Sequence, residues 1–173
     1  SIVPDLPVAI ALRDFARIYV RGPDEPSRSL VRAIIAQYAA FHAPDDAVVG
    51  FCVSDVERQF WEWAKWLPHA LHAKKHDGVG PMRLVATGVV ALEAMLDDTL
   101  VNRQRFSVGV GATATPHVLV VIDGGTTVGS DHLMTEGGVD GVTVIDLANP
   151  PPRLLDDATV VLEVASDGSL FSY

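Results

Sequence analysis

The sequence predicts an α/β domain built on a mostly parallel central sheet, and three observations carry that expectation. Short β-branched runs alternate with longer stretches of helical periodicity, the pattern of strand–helix–strand units. Two of the runs, "VVGFCV" at 48–53 and "HVLVVID" at 117–123, are apolar almost throughout, as strands covered on both faces require. A length of 173 residues with 49% hydrophobic and 20% charged residues suffices for one domain with a sizeable core.

Taken in order, residues 8–12 and 17–21 read as strands. Residues 27–42 read as a helix, with Leu30, Val31, Ile34, Ile35, Tyr38 and Phe41 at three-to-four spacing, ended by "HAPDD". A strand over 48–53 follows, then a segment predicted helical before Pro68 and again just after it. Residues 82–86 make a short strand and 89–106 a helix with Leu92, Met95, Leu96 and Leu100 on one face. "GVGATATP" is a loop, 117–123 the strongest strand, and the Gly-rich 124–138 an excursion with one helical turn. Another buried strand spans 141–147, Pro150 to Pro152 break the chain, and 158–173 form a β-hairpin turning at Asp167-Gly168. No repeat or low-complexity linker interrupts this plan, so 1–173 is expected to be a single domain. The chain starts without a methionine, which suggests a piece of a longer protein.

Composition narrows the function classes. A net charge of −9 argues against nucleic acid, which is gripped by clustered Lys and Arg. The single cysteine, Cys52, excludes an internal disulfide and, inside "AVVGFCV", reads as core packing in a reducing compartment. No apolar run reaches the ~18 residues of a transmembrane helix, so no membrane insertion is expected of this stretch.

The chemistry-bearing candidate is "GPDEPSRS", Gly22 to Ser29, where a strand runs into a turn and then a helix. It keeps the spacing of the phosphate-binding pattern G-x-x-x-x-G-K-[ST], in which backbone N–H groups cradle phosphate, Lys neutralises it and Ser or Thr ligates Mg²⁺. Ser27 stands at the second glycine, Arg28 at the lysine, and Ser29 alone is intact. Pro26 removes one N–H, and Asp24 and Glu25 set two carboxylates where phosphate would sit. Those acids are also ordinary helix-start residues. A second element of such ATPases is an apolar strand ending in an Mg²⁺-holding Asp, and "LVVID" ending at Asp123 matches it. The Glu that usually follows, to polarise the attacking water, is Gly124 here.

Other clusters weigh less. His69, His72 and His76 would share a helix face, but the third lies about 10 Å from the first at 1.5 Å per residue, too far for one zinc, and no metal site is expected. Trp61, Trp63 and Trp66, with Phe60, cannot all face one way on a helix; most belong in the core, and an exposed one would mark a protein contact. Asp97/Asp98 and Asp156/Asp157 read as solvated faces, and no catalytic triad or paired-carboxylate pattern stands out.

Several segments together resemble a known family. "RIYVRGPDEPSRSLVRAIIAQYAAFHAPDD", "FWEWAKWLPHALH", "RLVATGVVALEAMLDDTLVNRQRF", "PHVLVVIDGG" and "GVDGVTVIDL" are similar to the FtsK/SpoIIIE-type ATPases, and within them to the EccC family of the actinobacterial type VII secretion system. "WEWAKWLPH" is the most specific, resembling a stretch of that family's membrane-proximal domain. The resemblance covers nearly the whole chain. It implies a three-layer RecA-like fold, placed between transmembrane helices and three further ATPase modules at the cytosolic face of the plasma membrane. It also implies that Gly22, Ser27, Arg28 and Ser29 correspond to the nucleotide-binding loop and Asp123 to the Mg²⁺ residue, with Ser29 and Asp123 as metal ligands if Mg-ATP binds. The family's γ-phosphate-sensing Gln falls near Ala148, in "DLANP". Every departure falls on a position the chemistry needs. The expected function is therefore a pseudo-ATPase interaction module, with no catalytic residue and Trp61, Trp63 and Trp66 as contact candidates. Its expected partners are the other ATPase modules of the same chain and membrane components of the secretion complex. Two alternatives stay open: a domain that binds and slowly hydrolyses Mg-ATP, and an α/β domain unrelated to secretion.

Overall fold

The structure, a computed structural model, describes residues 12–110, 114–130 and 132–173. The strand expected at 8–12 lies outside them except for Leu12, which opens a short 3₁₀ turn, Leu12–Asp14. Strand β1 (Arg17–Arg21) leads into helix α1 (Asp24–Phe41), and β2 (Ala47–Val53) follows. A 3₁₀ run, Arg58–Trp66, and a shorter one, Pro68–Ala70, precede β3 (Leu71–Asp77), β4 (Gly80–Arg83) and β5 (Val85–Ala86). Helices α2 (Val89–Met95) and α3 (Asp97–Leu100) come next. Then come β6 (His117–Asp123), β7 (Val142–Asp146), β8 (Thr159–Val164) and β9 (Leu170–Ser172).

Seven strands form one sheet in the order β5-β2-β6-β7-β1-β8-β9, parallel except for β9, which returns antiparallel on β8. The two-residue periodicity of each strand divides its side chains between two apolar layers. Val49, Phe51, Val53, Leu119, Val121 and Ile145 meet Val31, Ile34, Ile35 and Tyr38 of α1. Cys52, Val118, Val120, Ile122, Val142 and Val144 meet Val89 and Leu92 of α2, Leu96 at the junction and Leu100 of α3. Helix–sheet–helix layering with this strand order is the three-layer RecA-like α/β architecture. It sets β7 between β1 and β6, so the two elements of the candidate site end on non-adjacent strands. Because the strands are parallel, Gly22, Ser54, Gly124 and Leu147 all emerge at one edge of the sheet, where α/β folds place their ligands.

Four stretches differ from the sequence-based expectation. Of the helix expected just after Pro68 only the 3₁₀ turn Pro68–Ala70 forms; from Leu71 the chain is a strand, pairing antiparallel with β4 in a separate hairpin. The turn decides this: Gly80 sits at φ +143° and the Asp77 carboxylate accepts from Val79 N–H at 2.9 Å, closing a tight Gly78–Val79 connection. The segment before Pro68 is 3₁₀ rather than α, and at nine residues is long for that helix type. The helix expected over 89–106 breaks at Leu96. There Asp97 caps its neighbour's N–H, and Lys75 from the hairpin reaches both the Ala94 carbonyl and the Asp97 carboxylate. No helical turn forms in 124–130 or 132–138.

Candidate nucleotide-site edge

At the loop edge, the helix itself has moved. A phosphate cradle needs several irregular residues between strand and helix, their N–H groups turned into a concavity. Here α1 begins at Asp24, and Ser27 N–H donates to Pro23 O at 3.0 Å, so only Gly22 and Pro23 lie between β1 and α1. Proline is tolerated in a first helical turn, and Asp24 and Glu25 complement the positive end of the helix dipole. The residues that made the pattern look degenerate are thus those that let the helix start early. Gly22 is at φ +142°, and a Cβ there would lie 2.2 Å from Val164 O, so glycine is held by the close passage of β8.

Arg28 crosses the edge to the end of β6. Its Nε donates to Asp123 Oδ2 at 2.8 Å, and both residues are buried, 9% and 6% exposed. The same carboxylate oxygen accepts from Trp61 Nε1 at 2.9 Å. The guanidinium rests over the Phe60 ring at 4.0 Å to its centroid, and its remaining side approaches Glu57 at 4.0 Å. Burial lowers the Arg28 pKa, but the hydrogen bond and charge of Asp123, with Asp24 and Glu57, more than offset it, so the net shift is upward. The group is a fixed cation.

Ser27 is buried, and its hydroxyl has no partner among the described residues. Ser29 is exposed, turned about 100° round the helix from Arg28. It lines a groove with Leu30 and the C-terminal hairpin residues Val164, Gly168 and Leu170. Thus Arg28, Asp123 and Trp61 converge, Gly22 and Ser27 lie beside β8, and Ser29 faces elsewhere. Trp63 packs against Trp61 with ring centroids 6.4 Å apart, while Trp66 is 79% exposed.

Two residues at this edge escaped the sequence reading. Ser54 donates its hydroxyl to the Glu57 carboxylate and accepts from Glu57 N–H at 3.4 Å. The S-x-x-E spacing is a helix-start signature that was available in the sequence. Gly124 is at φ +79°, and a Cβ there would lie 2.9 Å from Ser54 Oγ and 3.0 Å from Glu57 Oε2. A glutamate directly after Asp123 would therefore be strained and crowded. Asp146, at the end of the intervening strand, spends its carboxylate on Ala148 N–H, Asn149 N–H and the Asn149 amide.

Mg-ATP, the group this fold class implies, does not fit these residues. One oxygen of the carboxylate that would hold the metal accepts from both a guanidinium and an indole, the N–H cradle is helical, and the remaining serine faces another groove. Elsewhere, no cluster of three or more His, Cys, Asp or Glu able to hold a metal occurs among the described residues. His69 Nε2 is 2.6 Å from His42 O, whereas His72 and His76 stand on β3. Burial, then the charge of Asp146, pushes the Cys52 thiol up to about 11, leaving it unreactive.

Fold and edge together define a RecA-like α/β domain whose nucleotide-binding margin is occupied by its own ion pair. No protein-family profile matches the chain. Among known proteins it is 46% identical over 147 residues to the ESX secretion system protein EccC of Thermomonospora curvata, covering 85% of this chain. It is 32% identical over 174 residues to EccC5 of the Mycobacterium tuberculosis ESX-5 system, covering 94%, and 34% identical over 121 residues to EccC4 of that organism's ESX-4 system, covering 70%. The chain belongs to the EccC family of ESX, or type VII, secretion proteins. It spans only 11%, 12% and 9% of those relatives' lengths. No helix among the described residues is long and apolar enough to cross a membrane.

Proposed function

We propose that residues 1–173 act as one non-hydrolysing interaction module of an EccC-type secretion ATPase. The module sits at the cytosolic face of the membrane and couples membrane-embedded components of the complex to active ATPase modules in the same polypeptide. The observation that carries this reading is the buried Arg28–Asp123 pair, closed by the Trp61 indole. An internal cation occupies the place of the metal, so the scaffold keeps its shape without nucleotide. The exposed Trp66 supports a contact role, since tryptophan is prominent among residues that anchor interfaces.

A second reading has one observation in its favour. Glu57 sets a carboxylate beside Gly124, close to where a general base would stand, which favours slow Mg-ATP hydrolysis with missing groups supplied by a neighbour. Calorimetric titration of Mg-ATP, with a phosphate-release assay on the same sample, separates the two. The module reading expects no saturable heat at millimolar nucleotide and no turnover. Micromolar binding with turnover that Asp123→Ala and Glu57→Gln both abolish would establish the enzyme instead.

A further inference from the structure

Trp61, whose indole holds Asp123, also lines a second feature of the fold. The 3₁₀ run repeats every three residues, so Arg58, Trp61 and Ala64 share one face and Glu62 and Lys65 the next. Against these faces come Ala70 and two residues of the following strands, Arg83 and Val85. The result is a cavity of about 180 Å³ with Trp61 and Val85 in its wall. Arg58, Lys65 and Arg83 are its cations, against Glu62 as the single carboxylate. In a chain of net charge −9 this is a local reversal of sign. The Arg58 and Arg83 guanidinium groups form no ion pair among the described residues, whose pairs use other partners. Lys65 lies over the exposed Trp66 ring, 5.3 Å from its centroid.

We infer that this cavity is a docking site for an acidic peptide segment of a partner protein, with one apolar side chain seated against Trp61 and Val85 and carboxylates held by Arg58, Lys65 and Arg83. The inference rests on the interaction-module reading and names the chemistry of its partner. Size selects a peptide, because small-molecule pockets run to about 300–1,000 Å³ and this one accepts a single side chain. Charge selects an acidic one: three of the lining residues are cations while the chain as a whole repels anions, which gives direction as well as affinity. Arginines without an ion-pair partner among the described residues, with a tryptophan in the cavity wall, match the residue types that dominate interface energetics. The cavity also shares Trp61 with the Asp123 carboxylate, so a seated anchor touches the residue that closes the Arg28–Asp123 pair.

The test uses a fluorescein-labelled Glu-Asp-Phe-Asp-Glu peptide and a Lys-Arg-Phe-Arg-Lys control, titrated against the 173-residue chain by anisotropy and by tryptophan emission. The expected result is saturable binding of the acidic peptide, weakened at least tenfold by either Arg58→Glu or Arg83→Glu and by a rise in salt, with Arg153→Glu unchanged. All three arginines are exposed, and circular dichroism melts verify that the variants fold. Lack of saturable binding at millimolar peptide, equal binding of the two peptides, or indifference to both charge reversals would overturn the inference. Mg-ATP titrated into the same sample separates the claims. Silence toward both ligands removes the docking site alone, whereas nucleotide binding beside acidic-peptide binding removes the non-hydrolysing reading and keeps the site.

Discussion

Arg28 is the residue on which the candidate site turns. In a working phosphate loop this position carries a cation aimed at a ligand, and here the cation is aimed at the protein's own carboxylate. A buried pair is costly to assemble but far costlier to break, because the survivor is left charged and unpaired. Arg28→Ala should destabilise the chain by about 3–5 kcal/mol in urea unfolding, and Arg28→Ala/Asp123→Ala should recover part of that loss. Trp61→Phe keeps the ring packing on Phe51 and removes only the indole donor, so a smaller cost of about 1.5–3 kcal/mol is expected by the same measurement. Gly22→Ala drives a Cβ toward Val164 O and should cost about 2 kcal/mol or more, read as a lowered Tm. An unchanged Tm would show that β8 yields at that contact.

Elements carry a different set of constraints. Helix α1, β6, β7 and the segment before β1 are tied by one buried polar chain. Thr143 donates to the Leu12 and Phe15 carbonyls at 2.9 Å, so its oxygen accepts from His117 Nε2 at 3.1 Å, and His117 Nδ1 accepts from the Tyr38 hydroxyl at 2.7 Å. Burial chiefly, then the positive charges of Arg13, His42 and Arg103 against an opposing Asp140, pushes the His117 pKa down to about 3. The unfolded chain binds its proton near pH 6.5, so between these values the unfolded state holds the extra proton. Stability from this group is therefore complete above about pH 6.5 and falls as pH drops, by up to about 1.4 kcal/mol per unit. Urea unfolding at pH 7 and pH 5 should show a shallower decline for His117→Gln than for the parent, and equal declines would refute the assignment.

These same elements show what sequence can and cannot report. Strands β1 and β6 and the C-terminal hairpin were readable, because an apolar run and a turn dipeptide are local signals. Strand β3 was not: "LHAKKHD" suits either periodicity, and the following glycines settle the matter. The break at Leu96 depends on Lys75, brought in from the hairpin. At the candidate site the sequence named Arg28 and Asp123 separately, but pairing across 95 positions is a property of the sheet order. Trp61 entered as a contact candidate and proved to be a hydrogen-bond donor to Asp123, which no spacing rule would assign.

For the whole molecule, a sheet of RecA-like order presents an edge where ligands usually bind, and this chain closes that edge from within. The helix that starts early, the glycine held against β8, the capped turn at Ser54 and the crowded Gly124 all act in the same direction. An edge closed in this way is the feature on which the proposed non-hydrolysing role rests. The most direct measurement is a double-mutant cycle on Arg28→Ala and Asp123→Ala, run by urea unfolding with and without Mg-ATP. The expected coupling energy is about 2 kcal/mol or more and is unchanged by Mg-ATP, with no nucleotide-dependent gain in the parent's stability. A coupling below about 0.5 kcal/mol, or a parent stabilised by Mg-ATP through Asp123, would contradict it.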